Sequence, residues 1–328
     1  MSKLVNGKPL KQMPWEECPQ GFDGPIWRYS HNPVINRHPN SEISRAFNSA
    51  VVYFNNEFVG VFRGDGLDDI PHLYVGHSKD GINFKIDEQR IQFVDDSGNQ
   101  LPETMYQYDP RVIPFEDRFY IVWCDELCGP TIAIAETYDF KKFVKVDNPF
   151  LPYNRNGVLF PRKINDKYYM LSRPSDSGHT AFGDIFISES KDLIYWGKHR
   201  VVAQKGYEWW CALKIGAGPV PIELDDGWLI FTHGVNRTCN GYVYSLGAMI
   251  LDHDDPSKLK YRCKNLLLTP EAPYETTGFV PNVIFPTCAL VDSDTGRIAI
   301  YYGAADSYTA LAFTKVDRIV EYIKKNSR

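Results

Sequence analysis

The sequence has no apolar run close to the about 18 residues that a membrane-spanning helix needs, which excludes an integral membrane protein built on helices. Residues 1–9 hold no apolar core of a secretory signal, so we expect a cytoplasmic protein. Basic runs are also missing, because 36 Lys and Arg face 41 Asp and Glu, a net charge of −5. We therefore expect neither nucleic acid nor a membrane among the partners.

Cysteine is scarce and irregularly spaced. Of the seven cysteines only Cys124 and Cys128 are close together, and no second pair completes a zinc-binding motif. We expect all seven to be small buried hydrophobic side chains, and we expect no metal site.

Helical periodicity is nearly absent before the end of the chain. The recurring pattern is an apolar strand, a polar turn, a second apolar strand and, further on, a third. The first unit has its strands at residues 47–54, 58–63 and 73–78. Comparable units begin near residues 108, 159, 218 and 287, and their turns are built from Asn, Asp and Gly, as tight hairpins require.

Five imperfect repeats of roughly 50–70 residues, each a small antiparallel sheet, predict an all-β fold, a five-bladed β-propeller. We expect one catalytic domain over residues 1–328, with an N-terminal extension at 1–45 and a short C-terminal helix at 315–328. Trp15, Trp27 and Tyr29 indicate that the extension is packed, and an oligomer contact in a homo-oligomer is one role for it.

Polar residues recur where the apolar strands begin or end, and the blades of a propeller converge on a central axis. A turn or cap role would explain any one of them, whereas their recurrence in different blades favours a shared pocket. First strands start at Asn48, Asp109 and Arg162. Second strands end at, or just before, Arg63, Asp125, Arg173, His233 and Asp306. The Pro-Arg pairs at 110–111 and 161–162 have an alternative interpretation as ion pairs that stabilise blades.

The third and fourth units supply a basic group to this predicted pocket. Arg is suited to bidentate recognition of an oxyanion and Lys supplies a point charge, so such a group in an acidic protein indicates a specific anion site. Its members are Arg155, Arg173, Lys214 and His233. Other units add the carboxylates Asp109 and Asp306 and aromatic rings of the kind that sugars pack against, namely Tyr108, Trp209, Trp210 and Tyr242. An anion, a carboxylic acid and aromatic rings together suit carbohydrate chemistry.

Along essentially its full length the chain resembles glycoside hydrolase family 130, the β-mannoside phosphorylases. The segments that carry the resemblance lie at residues 47–52, 61–63, 108–112, 154–163, 171–176, 178–180, 214–219, 233–235, 240–245, 280–283 and 300–303. They are most similar to the group that acts on β-1,4-mannooligosaccharides. The five-bladed fold that the resemblance implies agrees with the repeat count.

The resemblance implies that Asp109 is the sole catalytic acid and that its proton reaches the glycosidic oxygen through the 3-hydroxyl of the mannose in subsite −1. It also implies a set of residues that hold inorganic phosphate: Arg155, Arg173, Lys214, His233 and, as a weaker candidate, Tyr242. Phosphate is then a co-substrate, and no cofactor is implied.

The resemblance further implies residues for the sugar. Asn48, Arg63 and Asp306 would bind the mannose in subsite −1, and Tyr108 and His179 would line subsite +1. The implied reaction is inverting phosphorolysis that releases α-D-mannose 1-phosphate and a shortened oligosaccharide. The loops at 65–71 and 204–211 are less alike, which leaves β-1,4-mannosyl-N-acetylglucosamine and β-1,4-mannosylglucose as alternative substrates, with β-1,2-mannosides behind them.

Two other functions fit the same fold. A β-mannoside hydrolase would need a second carboxylate to activate water and would not need all four basic residues. A non-catalytic glycan-binding propeller would not need Asp109. The basic residues and the retained acid favour the phosphorylase.

Overall fold

The computed structural model of the protein describes residues 3–175 and 182–327, and regular structure in this part is nearly all β-strand. In chain order the first strands are β1 (Trp27–Arg28), β2 (Ile43–Phe54), β3 (Glu57–Gly66), β4 (Pro71–Ser78), β5 (Lys85–Arg90), β6 (Phe93–Val94), β7 (Gln107–Phe115), β8 (Arg118–Glu126), β9 (Pro130–Thr137) and β10 (Phe143–Asp147). The remaining strands are β11 (Asn154–Leu159), β12 (Tyr168–Pro174), β13 (Ile185–Ser190), β14 (Trp196–Ala203), β15 (Lys214–Ala217), β16 (Ile222–Leu224), β17 (Gly227–Thr238), β18 (Gly241–Leu251), β19 (Leu259–Arg262), β20 (Ile284–Val291), β21 (Arg297–Ala304) and β22 (Tyr308–Lys315).

These strands form five sheets, the blades of a propeller. Blade one has the order β2-β3-β4-β5, and blade two runs β7-β8-β9-β10 with β6 beyond β10. Blade three is β11-β12-β13-β14, and blade four is β15-β17-β18-β19 with β16 also on β17. Blade five is β20-β21-β22-β1, so its outermost strand comes from the N-terminal segment. The first strands of neighbouring blades contact one another around the centre, where β2 touches β7 and β20 and β11 touches β7 and β15.

The predicted hairpin turns have the backbone that their residues favour. Asn55 and Asn56 both have positive φ, 51° and 62°, and Asn165 and Asp166 repeat this at 50° and 60°. Two consecutive positive φ values define the type I′ turn, whose twist matches that of paired strands. Asn and Asp tolerate this conformation better than other non-glycine residues, which is why they mark the turns.

Hydrophobic clusters lie at the interfaces between blades. Five such clusters are found within the described residues, one between each pair of neighbours around the ring. Trp123 and Phe93 of blade two stack at 4.4 Å within the cluster that faces blade one, and Phe160 meets the buried Trp228 edge-on at 5.1 Å between blades three and four. Each large side chain buried in this way contributes about 1.5–3 kcal/mol. The central strands are therefore apolar on both faces, and polar side chains at their ends stand out.

The N-terminal extension packs on its own chain. Trp27 and Tyr29 are buried, and Trp15 and Tyr29 contact the ring of Phe313 on β22 at 5.5 and 6.0 Å. These aromatic residues thus serve blade five, and an oligomer contact is not needed to explain them. The first blade begins earlier than the sequence pattern predicts, at Ile43.

Two α-helices occur in the described part of the chain, α1 (Pro273–Thr276) and α2 (Val316–Lys325). Helix α2 follows β22 and buries Val316, Ile319, Val320 and Ile323. No helix of the described residues combines the length and apolar character that crossing a membrane demands.

The cysteines are all unpaired, as free thiols. Cys124, Cys211, Cys263 and Cys288 are buried as expected. Cys18 is only half-buried, and the expectation is wrong for Cys128 and Cys239, which are exposed because both lie in turns between strands.

Candidate active site

The innermost strands of the first three blades share a local distortion. The pairing register shifts between Phe47 and Ala50 in blade one, and matching shifts follow Tyr108 in blade two and Arg155 in blade three. Inside each shift one residue has positive φ: Asn48 at 52°, Asp109 at 54° and Asn156 at 55°. A β-bulge redirects a side chain that a regular strand would place against its neighbour. Three polar side chains are thereby turned towards the centre of the ring.

The centre holds a cavity of about 430 Å³. Its wall is built from residues of all five blades: Asn48, Arg63, Tyr108, Asp109, Cys124, Tyr153, Arg155, Asn156, Gly157, Arg173, Ser175, Lys214, Tyr244, Val280, Val283, Phe285 and Asp306. Eight of the predicted site residues are among them, namely Asn48, Arg63, Tyr108, Asp109, Arg155, Arg173, Lys214 and Asp306. A space of this size suits a small ligand surrounded by convergent polar groups.

Asp109 is held by two donors from blade one. Its Oδ1 accepts hydrogen bonds from Nδ2 of Asn48 at 2.7 Å and from Nη1 of Arg63 at 3.1 Å. Gly303 on β21 makes room for Asn48, because a Cβ at this position would lie 1.8 Å from Oδ1 of Asn48. The carboxyl group is therefore fixed in orientation while its side chain keeps 15% of its surface open to the cavity.

Asp306 also belongs to the cavity wall and lies in the turn between β21 and β22 of blade five, with φ of 45°. Burial raises the pKa of its carboxyl group to about 6, and the carboxylates of Asp109 and Asp65 act in the same direction against the guanidinium of Arg63. A carboxyl group that loses its proton near neutral pH can donate or accept a hydrogen bond, as sugar hydroxyls require.

Basic residues gather on the opposite side. Arg155 on β11 is the direct cross-strand partner of Arg173 on β12, and Lys214 begins β15 in the next blade. Arg155 donates to Oη of Tyr108 at 3.1 Å and to the carbonyl oxygen of Ser175 at 2.9 Å. None of the three basic side chains forms a salt bridge with a carboxylate of the described residues. Like charges in directly paired positions destabilise a sheet, so this grouping is favourable when an anion lies among them.

The electrostatics of this side agree with that conclusion. Burial lowers the pKa of Arg173 and of Lys214, and the neighbouring cations lower both further. Nε of Arg173 is buried and has no partner among the described residues. An unsatisfied buried donor is costly unless a ligand fills it. The cations are therefore placed to gain from an oxyanion.

His233 lies directly behind Arg173. Its Nε2 is 2.7 Å from Nη1 of Arg173, and its ring is fully buried against Phe285. Burial and the charges of Arg173, Arg111 and Lys214 hold the pKa of His233 well below its usual value. The imidazole is therefore neutral, and Nε2 accepts the hydrogen bond that Arg173 donates. His233 positions the arginine from behind the cavity wall.

Some predicted residues lie elsewhere. Tyr242 is 51% exposed and is not part of the cavity wall, whereas Tyr244, two residues along the same strand, is. His179 lies outside the described residues. Among the aromatic residues considered for the pocket, Trp210 is buried behind Gly234 and Gly247.

Trp209 is 68% exposed and also lies away from the cavity wall. It begins a short 3₁₀ turn at Trp209–Cys211, whose other two residues are buried.

The two Pro-Arg pairs have different roles. Arg162 follows the end of β11 and forms an ion pair with Glu223 of blade four, so the prediction of a polar strand start there is wrong. Asn156 occupies the matching position instead. Arg111 is fully buried and donates to the carbonyl oxygens of Gly218 and Asp109 at 2.7 and 2.8 Å. Only the second pair is thus an ion-pair device.

Asp125 is also removed from the cavity. It is buried and accepts hydrogen bonds from Thr104, Lys145 and Asn148 at 2.6, 2.8 and 3.3 Å. This carboxylate connects β8 to the segments that precede β7 and follow β10 in blade two, and it does not line the cavity.

Sequence reasoning missed several residues of the wall. Tyr153 is 52% exposed with φ of 64°, and Asn156 lies one residue after Arg155. The Asn-Arg-Asn-Gly run at 154–157 is a signal that could have identified Asn156, because Asn next to Gly marks an irregular backbone.

No group of three or more His, Cys, Asp or Glu side chains of the described residues comes together in a way that could hold a metal ion. Cys124 in the wall has its pKa raised to about 12 by burial, which leaves it a protonated thiol.

Comparison with known proteins identifies the family. A sequence profile of glycoside hydrolase family 130, described as β-1,4-mannooligosaccharide phosphorylase, matches residues 8–325. The chain therefore belongs to glycoside hydrolase family 130. It is 52% identical to the β-1,4-mannooligosaccharide phosphorylase of Ruminococcus albus, over 99% of both chains. It is 33% identical to a β-1,2-mannobiose phosphorylase of Listeria innocua, over 80% of this chain and 71% of that one.

Solved structures agree on the fold. The β-1,2-mannobiose phosphorylase of Listeria innocua, in complex with β-1,2-mannobiose, superposes with a TM-score of 0.80 at 27% identity, covering 92% of this chain and 99% of the other. A second solved structure gives a TM-score of 0.76 at 20% identity, covering 92% of this chain and 97% of the other. Its description names the GH130 family of mannoside phosphorylases and glycoside hydrolases of that family that target β-1,2 mannosidic linkages in Candida mannan. The five sheets and the first of these likenesses confirm the predicted propeller.

Proposed function

We propose that the protein catalyses inverting phosphorolysis of β-1,4-mannooligosaccharides, releasing α-D-mannose 1-phosphate and an oligosaccharide one unit shorter. One observation carries this proposal: Arg155, Arg173 and Lys214 face the cavity without a carboxylate partner among the described residues, opposite the oriented acid Asp109. The 52% identity to a phosphorylase of this substrate class supports it.

The chemistry needs one acid and a bound nucleophile. Inverting glycosidases use a second carboxylate to activate water, but phosphate is already an anionic nucleophile. In our proposal a phosphate oxygen forms a bond to the anomeric carbon on the face opposite the leaving group, and the bond from this carbon to the glycosidic oxygen breaks. The leaving oxygen receives the proton of Asp109, relayed by the 3-hydroxyl of the mannose in subsite −1. The configuration inverts from β to α.

The basic residues bind and orient the phosphate. Arg155 and Arg173 offer planar donor groups, Lys214 adds a point charge, and His233 fixes Arg173. Holding phosphate in line with the anomeric carbon turns an encounter of two solutes into a reaction within one complex. Tyr244 lies in the wall close to this group, and we propose it as a further phosphate ligand beside the earlier candidate Tyr242.

The other side of the cavity binds sugar. We propose that Asn48, Arg63 and Asp306 hold the mannose in subsite −1, because they surround Asp109 from blades one and five. Tyr108, which lies between Arg63 and Arg155, would line subsite +1 together with His179.

The proposal is tested by the dependence on phosphate. Mannotriose is incubated with and without inorganic phosphate, and products are followed by phosphorus NMR and by an assay for free mannose. We expect α-mannose 1-phosphate in the first case and almost no reaction in the second. Free mannose released at a similar rate without phosphate would favour a β-mannoside hydrolase.

The substrate is tested in the reverse direction. From α-mannose 1-phosphate, the acceptors mannose, mannobiose, glucose, N-acetylglucosamine and chitobiose are compared. Preference for mannose or mannobiose supports the proposal. Preference for glucose, or for N-acetylglucosamine and chitobiose, would move the assignment to β-1,4-mannosylglucose or β-1,4-mannosyl-N-acetylglucosamine phosphorolysis.

We also propose that the protein is cytoplasmic, works without metal or cofactor, and forms a homo-oligomer. The seven free thiols support a reducing compartment. We expect full activity after dialysis against EDTA. In size-exclusion chromatography we expect an apparent mass above the 37.6 kDa of one chain.

A further inference from the structure

A row of alternating charges runs through blade one and ends at Asp109. Arg63 donates from Nη1 to Asp109 at 3.1 Å and from Nε to Oδ1 of Asp65 at 2.9 Å. Arg45 donates from Nη2 to Oδ2 of Asp65 at 3.2 Å and to Oδ1 of Asp69 at 2.7 Å. The order of charges is thus Asp69, Arg45, Asp65, Arg63, Asp109.

The middle of this row is buried. Asp65 is 1% exposed and Arg45 is 4% exposed, and neither belongs to the cavity wall. Asp69 at the outer end has 59% of its side chain exposed. Burying charged groups carries a desolvation penalty that good geometry must offset. Asp65 has this geometry, since it lies between two guanidinium groups.

Asp65 fixes how Arg63 faces the acid. Its two carboxylate oxygens accept hydrogen bonds from Nε of Arg63 and, at 3.4 Å, from Nη2 of Arg63. Nη1 is thereby left to donate to Asp109. The guanidinium also lies over the ring of Phe47 at 4.2 Å. With one edge and one face occupied, the planar group has a single orientation.

We propose that Asp65 is a positioning residue, which orients Arg63 and offsets its charge so that Asp109 retains the proton it delivers. The inference rests on the proposed role of Asp109 as the acid. Asp65 touches neither the cavity nor the reacting atoms, and it acts only through Arg63.

The direction of the effect follows from charge. Arg63 stabilises the ionised form of Asp109, and Asp65 offsets part of that pull because it shares the same guanidinium. Several other groups act on Asp109 as well: Asn48 of blade one, Cys124 and Arg111 of its own blade, Arg173 of blade three, Tyr244 of blade four and Asp306 of blade five. Of these groups, Asp306 also responds to Asp65, whose carboxylate helps to raise its pKa. Easier ionisation of Asp306 in Asp65→Asn works against the expected shift, so a shift to lower pH reports on Arg63.

The first experiment compares Asp65→Asn with Asp69→Asn. Both remove one carboxylate that contacts Arg45, but only Asp65 contacts Arg63. For Asp65→Asn we expect the alkaline limb of kcat/KM against pH to move to lower pH by about one unit, with kcat reduced about tenfold. For Asp69→Asn, whose side chain is mostly exposed, the profile should superimpose on that of the wild type.

A second variant gives the opposite sign. Arg45→Met removes the other cation from Asp65, whose charge then acts on Arg63 alone, and the alkaline limb should move to higher pH. Melting temperatures are recorded for all variants. A purely structural role would lower the melting temperatures without opposite shifts of the profiles.

The outcomes separate this inference from the proposed function. Profiles are recorded on whichever reaction the wild type performs, so a hydrolase would overturn the phosphorolysis and still test Asp65. Phosphate-dependent activity with superimposed profiles for Asp65→Asn, Arg45→Met and wild type would overturn the role of Asp65 alone. If neither Asp65→Asn nor Arg45→Met folds, Asp65 and Arg45 serve the stability of the protein, and the positioning role of Asp65 is overturned as well.

Discussion

Arg173 and His233 form a hydrogen-bonded pair across two blades, with 2.7 Å between Nη1 and Nε2. The histidine is neutral because burial and three nearby cations hold its pKa well below the usual value. The arginine therefore keeps its charge and gains a fixed direction. An uncharged acceptor behind a cation orients the cation and leaves its charge in place. A carboxylate at the same position would neutralise that charge.

Replacing this arginine should weaken phosphate binding. In Arg173→Ala we expect the KM for phosphate to rise by about 10²-fold, because a hydrogen bond to a charged group contributes about 1.5–3 kcal/mol and each 1.4 kcal/mol is a factor of ten. The KM for mannotriose should change little. The control is Arg162→Ala, which removes an arginine of the same blade that pairs with Glu223 instead. Initial rates at varied phosphate concentration measure this KM. A change confined to the KM for mannotriose would contradict the prediction and would place the sugar, not the phosphate, at Arg173.

Gly216 should be intolerant of a methyl group. A Cβ there would lie 2.4 Å from Cε1 of His233 and 3.1 Å from Nη1 of Arg173, so the pair must move in Gly216→Ala. We expect a loss of about 1–3 kcal/mol of stability and at least about tenfold weaker phosphate binding. Gly197→Ala is the matched control, since its Cβ would meet nothing within 4 Å. Unchanged melting temperature and KM in Gly216→Ala would contradict the described packing.

Asp109→Asn should abolish turnover and leave the protein folded. General acid catalysis contributes a factor of about 10²–10⁴, and an amide has no proton of comparable acidity to give. Asp117→Asn, on the exposed hairpin of the same blade, should be fully active. Single-turnover rates and circular dichroism give the two readouts. More than about a tenth of wild-type activity in Asp109→Asn would move the acid elsewhere, and Asp306 would be examined next.

Asp306 should reduce stability at neutral pH. Its pKa is raised from 3.8 to about 6, so the folded state binds the proton more tightly than the unfolded state does. The ionised group therefore disfavours folding above about pH 6. Asp306→Asn should be more stable by about 1–3 kcal/mol at pH 7.5, and the gain should shrink as the pH falls from 6 towards 4.

Urea denaturation at several pH values measures this gain. Asp294→Asn, in the exposed turn before β21, serves as the control and should change stability by less than about 0.5 kcal/mol at any pH. A gain in Asp306→Asn that does not vary with pH would show that the carboxyl group is not the cause. Loss of activity in the more stable variant would mark Asp306 as a residue kept for binding.

The second strand of every blade and the third strands of blades one to three could be predicted, and the fourth strands could not. The innermost strands of blades three and four begin earlier than the predicted residues 159 and 218, at Asn154 and Lys214. Strands such as β8 and β21 are buried on both faces and read as continuous apolar runs. The outer strand β5 has one buried residue in six, so its sequence resembles a loop. Strand β1 is only two residues long and pairs with a partner at the other end of the chain, which no local pattern reveals.

The convergence of charged side chains on one cavity could be predicted, but the backbone that turns them towards it could not. Asp109 and Arg173 carry charge at the end of apolar strands, and such residues stand out in a sequence. Asn156 faces the cavity because of a bulge, which a pattern of regular strands does not reveal. Tyr244 and Tyr242 lie on the same face of β18, but Tyr244 forms part of the cavity wall, whereas Tyr242 lies outside it and is 51% exposed.

Blade five is assembled from both ends of the chain. The side chain of Asn32 donates to the carbonyl oxygen of Leu311, 279 positions away, and β1 covers the edge of β22. On the ribosome β1 is synthesised long before β22 and stays without this partner until β22 follows. Contacts between such distant segments form slowly, and an uncovered strand edge invites other chains to pair with it. We therefore expect the nascent protein to depend on protection of β1 and the segment around it until β22 has emerged.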